Sequence, residues 1–149
     1  MRIARIGSAG HEKPAVVVGD EYILVDSLIG DWSRATLEDG AMEKVATADL
    51  SGLPRVAKGS TRIGAPINRP TKVICVGLNY LAHIKESNAE TPAEPVIFMK
   101  APDSVVGPND DIVIPPKSLA TDYEVELAIV IGKRALYLDS PADSKAHIL

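Results

Sequence analysis

The sequence predicts an α+β protein, mainly β. A small β-rich N-terminal domain with its connector spans residues 1–70, and the first part of a second β-rich domain spans residues 71–149. Three observations predict this. Short β-branched runs such as Ala15-Val16-Val17-Val18 and Val73-Ile74-Cys75-Val76 lie between glycine and proline breakers. Pro54–Pro70 holds three prolines, two glycines and four basic side chains with little apolar patterning, which marks a connector. Asp122–Ile131 alternates side chains as a long strand does.

In the first domain, Met1–Ile6 is short and mixed, and Gly7-Ser8-Ala9-Gly10 turns the chain. Pro14–Gly19, a tight polar turn at Asp20-Glu21 and Tyr22–Val25 predict a hairpin. Asp26 or Ser27 is placed to cap a short helix through Trp32, and Thr36–Ala46 is a second candidate helix. In the second domain, Thr71–Val76 reads as a strand buried on both faces that stops at Gly77. Leu78–Asn88 has helical character, Asn88–Pro95 is a loop, and Val96–Met99 is a short strand. Val106–Asp111 is turn chemistry leading into a strand at Ile112–Ile114, which Pro115-Pro116 ends. Thr121–Ile131 is the longest strand candidate. Ser140-Pro141 is an N-cap with proline at the first helical position. A helix so announced, with about two turns left before Leu149, is an unusual end for a domain, so the second domain is expected to be incomplete.

The chain has 149 residues, 46% hydrophobic and 24% charged, which is enough to bury a core without disulfides. Cys75 is alone, so neither an internal disulfide nor a thiolate zinc cluster is available, and the usage suits a reducing, cytoplasmic compartment. A net charge of −4 without a Lys/Arg stripe argues against nucleic acid as a partner. No apolar run reaches the roughly 18 residues of a membrane span.

Candidate chemistry sits in two places. On a strand, Glu124 and Glu126 share a face roughly 6.6 Å apart, with Asp122 on the same face roughly 13 Å from Glu126. Past Glu126 the pattern is apolar on both faces, so the pair would lie at the mouth of a buried strand. There its charge needs a proton, a basic partner or a cation. Carboxylate oxygens favour Mg²⁺, Mn²⁺ or Ca²⁺ over Zn²⁺. From spacing alone, an exposed strand end with solvated carboxylates is the more ordinary reading. On the candidate helix, His83 and Glu86 form an i, i+3 pair. A carboxylate beside an imidazole orients the ring and raises its basicity, as deprotonating water requires, although such pairs are also common on helix surfaces without a task. His11 and His147 have no comparable setting, and Cys75 reads as a small apolar residue.

These residues fall in ordered blocks. Ile74-Cys75-Val76-Gly77-Leu78-Asn79-Tyr80 is followed by His83 and Glu86, then Glu94–Lys100, Val106–Asp110, Ile112–Pro115 and Asp122-Tyr123-Glu124-Val125-Glu126-Leu127 through Ile131-Gly132-Lys133. In this the chain resembles the fumarylacetoacetate hydrolase family from Lys72 to about Tyr137, with Arg62-Ile63-Gly64-Ala65-Pro66 in the connector usual for that family. The resemblance implies an incomplete mixed β-sandwich roll and, for a full domain, a homodimer. It implies Mg²⁺ or Mn²⁺, with Ca²⁺ as a further hard cation, held by Glu124 and Glu126. It implies a water-activating dyad of His83 and Glu86, and substrate contacts at Tyr80 and Lys100. The implied substrate is a 2-oxo acid or 1,3-dicarbonyl compound. The implied reaction is hydrolytic C–C cleavage, or a related decarboxylation or isomerisation such as that of 2-hydroxyhepta-2,4-diene-1,7-dioate. A third metal ligand, an aspartate, is expected beyond the last residue given, so the chain reads as truncated. The alternative is an inactive chain acting as an interaction module or as half of a split enzyme.

Overall fold

The computed structural model describes residues 1–149. It is a mixed α/β structure with two small antiparallel sheets. Two compact units are present, one formed by residues 1–68 with 107–149 and the other by residues 69–106.

In the first unit, β1 (Ile3–Ile6), β2 (Lys13–Val18), β3 (Glu21–Leu24) and β4 (Arg55–Ala57) form a sheet in sequence order. The predicted hairpin is β2–β3, with Val18 paired to Glu21 across a Gly19-Asp20 loop. Gly19 takes φ +54°, a conformation that side chains with a Cβ resist. Both faces of the sheet are covered. On one, Val16 packs with Val25, Trp32, Ala41 and Val45 from the helical segment. On the other, Ala4, Ile6, Ala15 and Tyr22 cluster with partly buried Val56 and Ile63. Trp32 is fully buried, and its indole N–H donates to the Ala15 carbonyl at 3.2 Å, so the polar edge of the ring is satisfied.

The helices are shorter than the sequence predicts. α1 covers Asp26–Ile29, ends at Gly30 (φ +76°) and stops short of Trp32. The second candidate divides into α2 (Arg34–Glu38) and α3 (Ala41–Thr47), because Gly40 turns the chain at φ +79°. Ser33 caps α2 in a reciprocal arrangement with Thr36. Pro54–Pro70 is more than a connector: Val56 in β4 pairs with Tyr22 of β3, and Ile63 bridges to Ile6. A three-residue edge strand with a single β-branched side chain is too short for periodicity to reveal.

Charge links these pieces. The Arg5 side chain, only 7% exposed, donates through Nε and Nη2 to the two Asp31 oxygens at 2.7 and 3.0 Å, with Glu12 at 3.5 Å. Asp31 also accepts from the Trp32 amide and from Asn68 Nδ2. Glu12, 9% exposed, accepts in turn from Arg62 Nη1 at 2.7 Å. Arg62 grips Asp110 through Nε at 2.7 Å and through Nη2.

Beyond Asp110 the structure departs from expectation. Ile112–Ile114 and Thr121–Ile131 are not strands, and no ladder runs along them. Alternation supplies a strand's pattern, but its N–H and C=O groups also need a neighbouring strand. At the end of Thr121–Ile131 the Leu149 N–H donates to Val130 O at 2.9 Å, and Ile131 bridges to Ile148. The Ser140 cap forms with Asp143 as its reciprocal partner, and the following turn, Pro141–His147, is 3₁₀ rather than α.

The second unit holds β5 (Val73–Gly77), α4 (Leu81–Glu86) and β6 (Val96–Lys100). β5 and β6 pair antiparallel from Val73↔Lys100 to Gly77↔Val96. β5 is not buried on both faces as predicted. Ile74 and Val76 are exposed, because a two-stranded ribbon leaves one face without a covering layer.

Two outcomes follow from the first unit. Trp32→Ala should cost about 3–5 kcal/mol in urea unfolding, the usual range for emptying a buried aromatic site. The second concerns acid. Burial pushes the Glu12 carboxyl up, but the Arg62 hydrogen bond, a backbone hydrogen bond and the charges of Arg5 and Arg62 outweigh it, leaving the group below its ordinary 4.5. The Arg62 hydrogen bond and the Gly107 amide hold Asp110 below its ordinary 3.8. Both folded values lie below the unfolded ones, so this stabilisation is complete above the unfolded values and is lost as pH falls through the folded ones. Thermal melts followed by circular dichroism should therefore hold their midpoint down to about pH 5 and drop below it. Glu12→Gln should flatten that drop; an unaltered acid profile would remove Glu12 as its source.

Candidate active site

The second unit builds its candidate site on the turn between β5 and α4. Gly77 closes the strand. Leu78 takes φ +50°, a left-handed conformation that costs a residue with a Cβ about 1–2 kcal/mol. Tyr80 then occupies the N-cap of α4 in extended conformation, and its carbonyl accepts the Ile84 amide at 3.0 Å. Ile84 is the buried side chain of this short helix, so the helix is anchored on that face and the other is left to solvent. His83 and Glu86 lie on the solvent side, with Nδ1 and Oε2 4.0 Å apart and side-chain exposures of 55% and 83%. At that distance the pair is electrostatic and not yet a hydrogen bond. Ser87 Oγ donates to the His83 carbonyl at 2.8 Å, which closes the end of the helix.

Beside α4 is an open cavity of about 340 Å³, lined by Val76–Asn79, Leu81, Ile84 and Thr91–Val96. Its walls are mostly apolar, with Asn79 and Glu94 among the polar groups lining it. The size falls within the range of small-molecule sites. Tyr80 is half-exposed, and Lys100 ends β6 as an exposed side chain paired across to Val73. Cys75 is half-buried opposite Phe98.

Glu124 and Glu126 lie in the first unit, in the stretch that forms no strand, and both are exposed. The expectation of a poorly solvated strand mouth is thus corrected. Without a covering layer, Val125 and Leu127 beside them are about four-fifths exposed. Their oxygen chemistry suits a hard divalent cation. No group of three His, Cys, Asp or Glu side chains in the structure is arranged to hold one.

Sequence reasoning did not single out the Glu12–Arg62–Asp110 cluster. Arg62 and Asp110 are 48 residues apart and each sits in what reads as a loop, so no local pattern joins them. The one available signal is that Gly107-Pro108-Asn109-Asp110 is a turn ending in a carboxylate, a shape that commonly turns the side chain back onto backbone N–H groups. No helix of the structure is long and apolar enough to cross a membrane.

Residues 72–149 match the family described as Fumarylacetoacetate (FAA) hydrolase C-terminal. The chain belongs to this family. Among its relatives, mitochondrial oxaloacetate tautomerase FAHD2A of Bos taurus is 44% identical over 114 residues, covering 75% of this chain and 36% of the relative. The 2,4-didehydro-3-deoxy-L-rhamnonate hydrolase of Sphingomonas sp. is 40% identical over 138 residues, covering 93% of this chain and 47% of the relative. In structure, the chain resembles a fumarylacetoacetate hydrolase from Exiguobacterium antarcticum with TM-score 0.74 and 33% identity, covering 98% of this chain and 52% of that one. It also resembles maleylpyruvate hydrolase from Sphingobium sp., solved with manganese(II) and pyruvate. There the TM-score is 0.72 and the identity 26%, covering 99% of this chain and 55% of that one. The chain thus spans between about a third and just over half the length of these relatives.

Proposed function

We propose that this chain is part of a metal-dependent enzyme acting on a 2-oxo acid or 1,3-dicarbonyl compound. The reaction would be hydrolytic C–C cleavage or the related decarboxylation or isomerisation. The observation that carries the proposal is α4, which presents His83 and Glu86 on one face within the stretch that matches the family. A relative named as a hydrolase, another named as an oxaloacetate tautomerase, and a structural neighbour holding manganese(II) and pyruvate support the substrate class.

In this reading Glu86 draws the His83 Nδ1–H towards its carboxylate, which leaves Nε2 unprotonated and able to take a proton from water. The cavity beside α4 offers apolar walls to the carbon chain of a substrate. Lys100 supplies a cation for a substrate carboxylate and Tyr80 a neutral hydroxyl donor. Glu124 and Glu126 would contribute two oxygen ligands to Mg²⁺ or Mn²⁺. When bound, such an ion polarises the carbonyl of an oxo acid and stabilises its enolate. A homodimer and a cytoplasmic setting belong to the same proposal.

The test uses the full-length protein with Mg²⁺ or Mn²⁺, assayed for cleavage of an acylpyruvate and for keto–enol interconversion of oxaloacetate. Glu124→Ala should abolish metal-dependent turnover. His83→Ala should keep metal binding, measured by calorimetry, and lower hydrolysis by about 10²–10⁴-fold, the usual share of a general base. Unchanged hydrolysis in the histidine variant would remove His83 from the mechanism. Turnover of oxaloacetate without acylpyruvate cleavage would assign the isomerising branch.

A further inference from the structure

We propose that Arg62 is a clasp: it fastens the Gly107–Asp110 turn, and through it the start of residues 111–149, to the N-terminal sheet. The backbone hydrogen bonds of residues 111–149 run within that stretch, as between Ser118 and Pro115 or Gly132 and His147. No helix or paired strand follows until Pro141, and Ile112 and Val113 are largely exposed. At the turn, Asp110 joins the stretch to the charged network of the sheet.

There, one guanidinium serves both sides. Nε and Nη2 hold the Asp110 carboxylate in a two-pronged pair, while Nη1 donates to Glu12 Oε1 at 2.7 Å and to the Gly7 carbonyl at 3.2 Å. Arg5 of β1 faces Glu12 from the other side and keeps that carboxylate in place. The turn is closed on itself, since Asp110 Oδ2 accepts the Gly107 N–H at 2.7 Å. It also sits hard against the strap that carries Arg62. A Cβ on Gly107 would collide with the Ile63 carbonyl oxygen, a contact that only glycine avoids. Planar two-pronged geometry is what arginine supplies and lysine does not.

Amide hydrogen exchange on the 149-residue chain tests the clasp. Arg62→Gln should speed exchange at the Gly107 and Asp110 amides at least about tenfold, while Val17 and Val25, bonded to Arg2 and Pro14 within the sheet unit, keep their protection. Arg62→Lys should fall between the two. Unchanged exchange at Gly107 and Asp110 overturns the proposal. An equal rise at Val17 and Val25 also overturns it, since Arg62 would then support the whole unit and fasten nothing in particular. If Arg62→Gln does not fold, Asp110→Asn decides. It keeps an oxygen for the Gly107 amide but loses the charge that Arg62 grips, so faster exchange at Gly107 supports the clasp and unchanged exchange refutes it.

Discussion

A guanidinium inside a small sheet constrains nearly everything around it. Arg5 lies on β1 at 6% exposure, and leaving such a cation without partners would cost several kcal/mol. Asp31 and Glu12 must therefore come to it. Asp31 fixes where the chain goes after α1 and holds the Trp32 amide and Asn68, so the ion pair also sets the place of the main aromatic of the core. Glu12 fixes the loop ahead of β2 and passes the charge pattern to Arg62 and Asp110. Alternating signs from Asp31 to Asp110 let each buried or partly buried group be the partner of the next, which is how charges persist where the solvent is thin.

The first domain was legible where short-range chemistry decides structure. The valine run between Pro14 and Gly19, followed by polar turn residues, announces β2–β3 because strand pairing across a two-residue loop is a local event. Ser140-Pro141 likewise foretells a capped turn. Two other features depend on distant partners and left no pattern. β4 is a strand because it pairs with β3 from Glu21↔Ala57 to Ile23↔Arg55, and Ile63 and Arg62 tie the rest of the Pro54–Pro70 stretch to the sheet. The strands expected at Ile112–Ile114 and Thr121–Ile131 show the reverse case. Their side-chain alternation is real, but alternation reports only which face a residue prefers. A ladder also needs a second backbone, and the pattern carries no information about one.

The candidate site divides along the same line. His83 and Glu86 were readable together because helical spacing alone puts them on one face, and α4 does so. The strands β5 and β6 were implied by two apolar runs, although their pairing and exposure were not, since both depend on partners and layers that the runs do not name. Glu124 and Glu126 were readable as a pair of oxygen donors. Their surroundings were not, because solvation at a strand end is set by whatever packs across it. Family membership rests on the order and spacing of whole blocks, which is why it emerged from the sequence more surely than any one ligand did.

Trp32 is the one tryptophan in the chain, and it lies wholly buried against the first sheet. Indole emission is therefore a report from that sheet alone. Unfolding followed by fluorescence traces the melting of β1–β4 and their helices and is silent on residues 69–106, which contain no tryptophan. Far-ultraviolet signals, which sum over both units, would be expected to diverge from the emission curve if β5, α4 and β6 melt on their own. The chain thus carries a built-in optical label for one unit, and comparing the two signals measures how far the units share a single cooperative transition.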